Sequence, residues 1–80
     1  MNTKEAVAKR ILALCDERHI AVNALAGISG VSPSTIYSML NEKSKTPGIV
    51  SIKKLCDGLE ISIRDFFDCD LFDNIEQEIK

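Results

Sequence analysis

Tryptophan is absent from the 80 residues, tyrosine occurs once and phenylalanine three times. So few aromatics argue against a sandwich or barrel and for aliphatic packing between helices. Two prolines and four glycines leave room for few turns. The cysteines Cys15, Cys56 and Cys69 are an odd number, far apart and without CxxC spacing, and His19 is the single histidine. Neither a disulfide framework nor a zinc set can be built from them, so no metal and no cofactor is expected. The thiols read as reduced, with Cys15 and Cys56 on apolar helix faces as small hydrophobes. His19 ends a helical pattern and reads as a solvated or dipole-favoured group rather than a catalytic one. No apolar run approaches the roughly 20 residues that span a bilayer, and Met1-Asn2-Thr3-Lys4-Glu5 lacks the apolar segment of a signal peptide. A cytoplasmic protein with no membrane partner is therefore expected. A carboxylate pair, a nucleophile with its base and a glycine-rich phosphate loop are missing too, so neither an enzyme nor a small-molecule binder is expected.

What remains is one small domain, 45% hydrophobic and 28% charged. Its size is near the lower limit for folding without disulfides or metal. The net charge of −2 argues at first against a nucleic-acid binder. The charge is unevenly placed, however. Up to Lys54 there are eight Lys and Arg against four Asp and Glu, whereas from Leu55 onward there are two against eight. Such a distribution permits a basic face on an acidic protein.

The periodicity is helical throughout. Val7, Ile11, Leu14 and Cys15 form one stripe, with Asn2 and Glu5 as a capping pair. A short segment from Val22 to Ile28 is interrupted by Ser29-Gly30-Val31. Ser32 then caps a further helix, with Pro33 at its first position, where a missing N–H costs nothing, and Ile36, Met39 and Leu40 on its inner face. Residues 41–48 read as a polar loop. Ile52, Leu55, Cys56 and Leu59 mark a fourth helix, which Gly58 weakens by roughly 1 kcal/mol relative to alanine. Ser62 and Asp65 form a capping box for a short fifth helix carrying Phe66 and Phe67. The acidic tail spaces Leu71, Phe72, Ile75 and Ile79 helically and is expected to pack back, dimerise or fray. Residues 1–68 are read as the domain and 69–80 as this tail.

The turn between the second and third helices carries the functional signal. Two helices crossing steeply through a short turn need a small residue at the crossing, a residue tolerant of positive φ in the turn, and an aliphatic group aimed inward. Ala26, Gly30 and Ile36 meet these needs in order. With these residues in place, the chain from about Val7 to Phe67 resembles the helix-turn-helix family of phage lambda repressor and Cro, the XRE type. The resemblance implies an all-α, compact five-helix bundle whose third helix enters the DNA major groove while the second lies across the backbone. It departs from the family's pattern in two places. Ala21 and Val22 stand where a capping hydroxyl and a phosphate-binding glutamine are usual. Cys15 and Leu40 stand where an arginine on the first helix commonly pairs with a glutamate on the third.

The resemblance places Pro33, Ser34, Thr35, Tyr37, Ser38 and Asn41 toward the bases, and Asn23, Ser32, Lys43, Ser44 and Lys45 toward phosphates. None of the base-facing residues is Arg or Gln, so readout is expected from hydroxyls, from the Thr35 methyl on thymine and from Asn41 on adenine. For the loop residues Lys43, Ser44 and Lys45 the plainer alternative is a solvated loop. The function so implied is a sequence-specific transcriptional regulator, most often a repressor, binding double-stranded DNA, with the tail stripe a candidate for homodimerisation. The alternative is the same fold used as a protein-interaction module, antitoxin- or adaptor-like, on account of the acidic tail, the missing anchor at Val22 and the net charge.

Overall fold

The structure, a computed structural model, describes residues 1–41 and 47–79. Among them are five helices, α1 (Thr3–Arg18), α2 (Val22–Ser29), α3 (Pro33–Leu40), α4 (Ile49–Leu59) and α5 (Ile63–Phe67), followed by a 3₁₀ turn at Asp70–Phe72 and no strand. The all-α bundle implied by the residue pattern is thus the fold observed.

Local chemistry sets most helix ends. Asn2 caps α1 by accepting the Glu5 amide at 2.8 Å, and Ser62 and Asp65 form a reciprocal capping box on α5. α1, α2 and α4 all end on a residue in the left-handed region, at His19 (φ 55°), Gly30 (φ 67°) and Glu60 (φ 58°). In that conformation the chain turns back and its next amides reach the last helical carbonyls, as when Ile20 N–H donates to Cys15 at 3.0 Å. Only the α2 terminus uses glycine, so His19 and Glu60 hold a strained backbone that the closed bundle sustains. His19, expected at a helix end as a solvated or dipole-favoured group, is exposed and forms the left-handed terminus of α1.

The core is aliphatic: Val7, Ile11, Leu25, Ile36, Leu55 and Leu59 are buried together with Phe66. α2 packs most extensively on α4, and α1 lies against α3. Gly58 finds its reason at the first of these contacts. A Cβ there would sit 2.1 Å from Ser29 Oγ and 3.1 Å from Ser29 Cα, so the glycine lets the end of α2 approach α4. Arg10 reaches from α1 to α5, where Nε donates to the Phe66 carbonyl at 2.7 Å and Nη2 to the Asp65 carbonyl at 2.8 Å.

The tail departs from its helical spacing. Beyond the 3₁₀ turn the chain is irregular, because its backbone bonds elsewhere: Glu76 N–H donates to the Met1 carbonyl at 3.0 Å. The Met1 ammonium lies 3.7 Å from Glu76, and Thr3 Oγ1 donates to Glu78 at 2.9 Å. Phe72 stacks edge-on against Phe67 at 4.9 Å between centroids, so all three phenylalanines form one cluster. Leu71 and Ile75 are half-buried while Ile79 is exposed, so the expected stripe is not one helix face. The tail packs back on the start of α1 through Glu76 and Glu78, one of the fates open to it.

Candidate nucleic-acid interface

α2 and α3 meet through a turn whose every residue has a mechanical task. Ala26, buried at the crossing, leaves room for α3 and accepts the Val31 amide at 3.0 Å. Gly30 supplies the positive φ. Val31 is buried beneath the turn, and Ile36 is wholly buried beneath α3. Ser32 Oγ accepts the Thr35 amide at 3.2 Å, and Pro33 occupies the first helical position. The three residues read from the sequence as turn-makers therefore do what their chemistry suggested.

The outer face of α3 is polar and uncharged. Pro33, Ser34, Thr35, Tyr37, Ser38 and Asn41 are all exposed. Ser34, Ser38 and Asn41 follow one another at four and three residues, the spacing of neighbours along one helical stripe. The Ser32, Ser34 and Thr35 hydroxyls come together at the start of α3, with Ser32 Oγ 2.8 Å from Thr35 Oγ1 and 3.2 Å from Ser34 Oγ. Thr35's hydroxyl is thereby engaged with the cap, and its methyl is the group left without a hydrogen-bonding role. Asn23, on α2, is exposed as well. Lys43, Ser44 and Lys45 lie outside the described residues.

From Ile20 to Asn41 the sequence holds no Asp, Glu, Lys, Arg or His. Charge for a polyanion would have to come from outside the helix pair, and several cations have other work. Arg10 is spent on the α5 carbonyls, Lys53 pairs with Asp57 one turn along α4, and Lys4 donates to the Asn41 carbonyl. Lys9, Arg18 and Lys54 are exposed. α2 starts at Ala21 with no side-chain cap, so the departure seen in the sequence leaves its first amides without an internal acceptor.

At the other departure Cys15 is buried, and Leu40 packs partly buried against the same core cluster while lining a shallow groove with Asn2, Lys4, Glu5 and Ala8. Two ties that pattern reading missed also hold α1: Arg10 on α5 and Lys4 on α3. No local signal reveals that either side chain is engaged, since the partners of both are backbone carbonyls remote in sequence. Burial raises the Cys15 thiol pKa, and at Cys56 burial dominates, with Asp57 adding to it and Lys53 and Arg10 opposing. Neither thiol is poised as a nucleophile, because the thiolate is the reactive form. Among the described residues no group of three or more His, Cys, Asp or Glu could hold a metal, and no helix is long and apolar enough to cross a membrane.

Comparison with known proteins agrees with this geometry. Residues 10–71 match the Cro/C1-type helix-turn-helix DNA-binding domain. The chain is 40% identical over 57 residues to the HTH-type transcriptional repressor RghR of Bacillus subtilis (strain 168); that stretch is 71% of this chain and 42% of RghR, so the chain spans well under half of that relative's length. It superimposes on the crystal structure of the prophage Lp1 protein 11 with a TM-score of 0.82 at 33% identity, covering 94% of this chain and all of that one.

Proposed function

The chain belongs to the Cro/C1-type helix-turn-helix DNA-binding domain family, and from that premise we propose that it is a sequence-specific transcriptional repressor whose α3 enters the major groove. The observation that carries this reading is the exposed, hydroxyl-rich outer face of α3, set on a rigid turn whose inner residues are all buried. Pro33, Ser34, Thr35, Tyr37, Ser38 and Asn41 face base edges. Asn23, Ser32 and the loop residues Lys43, Ser44 and Lys45 meet phosphates, fixing register without carrying sequence information. One such domain covers a half-site, so two copies act on a near-palindromic operator about one helical turn between centres. The exposed Ile79 side of the tail is our choice for the contact between them. Occupying the operator is sufficient for repression and requires no cofactor.

Selection from a random duplex pool at low and moderate salt, with a Thr35→Ala, Ser38→Ala variant alongside, tests this. A palindromic motif that weakens with salt and vanishes in the variant is the expected outcome. Failure to retain any duplex at low salt would reject it. The second reading, a protein-interaction module, is favoured by the charge-free stretch from Ile20 to Asn41 and by exposed Ile28, Ile49 and Val50; it takes over in that event.

A further inference from the structure

We propose that Lys4 is a positioning residue for the reading helix: its ammonium anchors the C-terminal end of α3 and so holds Asn41 in register, rather than contacting phosphate. The proposal rests on the reading of α3 given above. Three observations and one physical principle carry it. Lys4 Nζ donates to the Asn41 carbonyl, joining residues 37 positions apart. α3 is poorly terminated by its own sequence, with no basic residue in its last turn and a C-cap at Asn41 in extended conformation, where one amide reaches back to Ser38 at 3.3 Å. A cation is favourable at such a pole because the last carbonyls of a helix carry partial negative charge and lack internal donors. Lys4, finally, lines one shallow groove together with Ala8, Met39, Leu40 and Asn41, so its stem and the end of α3 share an apolar surface along which the ammonium can reach that end.

The consequence is specific to this chain. α1 and α3 are otherwise joined through the apolar core, and an apolar contact resists separation better than it resists sliding or rotation. A directed charge-assisted hydrogen bond supplies the missing geometric restraint. The tail also meets the start of α1, with Glu76 3.7 Å from the Met1 ammonium and Glu78 accepting from Thr3 Oγ1.

Lys4→Met keeps the stem and removes the donor, and Lys4→Arg restores a donor. In the free full-length chain, amide exchange at Met39, Leu40 and Asn41 should quicken in Lys4→Met and stay near the parent rate in Lys4→Arg. On the duplex selected by the parent protein, Lys4→Met should lose about fivefold or more of its preference at the base position that Asn41→Ala also abolishes. The dependence of log affinity on log salt should keep its slope. A slope reduced by about one, with base preference intact, would make Lys4 a phosphate contact and overturn the proposal. Unchanged exchange in Lys4→Met would overturn it too. Should the parent protein bind no duplex, the reading of α3 falls and takes the DNA role of Lys4 with it, while the exchange rates still decide whether Lys4 anchors the helix.

Discussion

Thr35 shows how one side chain divides its work. Its hydroxyl is 2.8 Å from Ser32 Oγ, at the cap of its own helix, so on the proposed reading the methyl is the group that meets a base. Thr35→Val should then keep the preference for thymine at its position, whereas Thr35→Ser should lose it at about 1–3 kcal/mol, read as relative affinity for matched and substituted duplexes. The opposite ranking would assign the readout to the hydroxyl. Gly58 makes a second case. Alanine is the better helix former by about 1 kcal/mol, yet a Cβ at 2.1 Å from Ser29 Oγ overfills the crossing of α2 and α4. Gly58→Ala should destabilise by about 1–3 kcal/mol in urea unfolding, because overpacking a tight contact forces backbone shifts. Ser29→Ala should be neutral or stabilising by the same measurement, since Ser29 Oγ is buried and finds no hydrogen-bond partner among the described residues.

At the scale of elements, α5 is too short to be stable by its own propensity, with five residues. Its capping box secures the first turn and Phe66 secures the middle, but the carbonyls of its last turn depend on Arg10. Arg10→Met keeps the length of the side chain and removes both donors. It should cost about 1.5–3 kcal/mol, the range for hydrogen bonds to charged groups, and Arg10→Lys should recover only part, lacking the two-pronged geometry. Equal stability of the arginine and lysine forms would show that charge rather than the fork matters. α2 offers the reverse experiment. Ala21 contributes no cap, so Ala21→Ser should raise stability by about 0.5–1 kcal/mol, read as a shift in the urea midpoint; no shift would mean that solvent already satisfies those amides.

Across the whole molecule, the two buried thiols link stability to alkaline pH. Burial raises the pKa of Cys15 and Cys56 above the ordinary 9.0, so the folded chain keeps protons that the unfolded chain releases. Stability from these groups is fully present below about pH 9 and falls as pH rises beyond it, because there the unfolded state binds fewer protons. Urea midpoints measured from pH 7 to 10.5 should therefore decline more steeply for the parent than for a Cys15→Ala, Cys56→Ala variant. Parallel curves would show that other groups govern alkaline unfolding. The acidic surplus from Leu55 onward is partly accounted for at this scale as well, since Glu76 and Glu78 fasten the tail to the start of α1.

Much of this architecture is legible in the sequence, and the reason is the range of the interactions concerned. Ser32-Pro33, the Ser62 and Asp65 box, Gly30 and the stripes of α1, α3 and α4 act within one helical turn, so a short window of residues contains both partners of each interaction. Ala26 and Ile36 are readable for a related reason: the steep crossing of two helices over a short turn admits few residue types at those places. The tail is not readable in this way, because helical spacing states only which residues could share a face. Once Phe72 meets Phe67 and Glu76 meets the Met1 carbonyl, the backbone bonds across the molecule and the helix is not needed. Arg10, Lys4 and Gly58 escape a local reading for the same cause, each acting on residues remote in sequence that only the packed bundle brings near. Local pattern thus settled helices α1 to α5 and which face of α3 looks outward, whereas long-range packing settled the course of the tail and which charged side chains are engaged within the bundle.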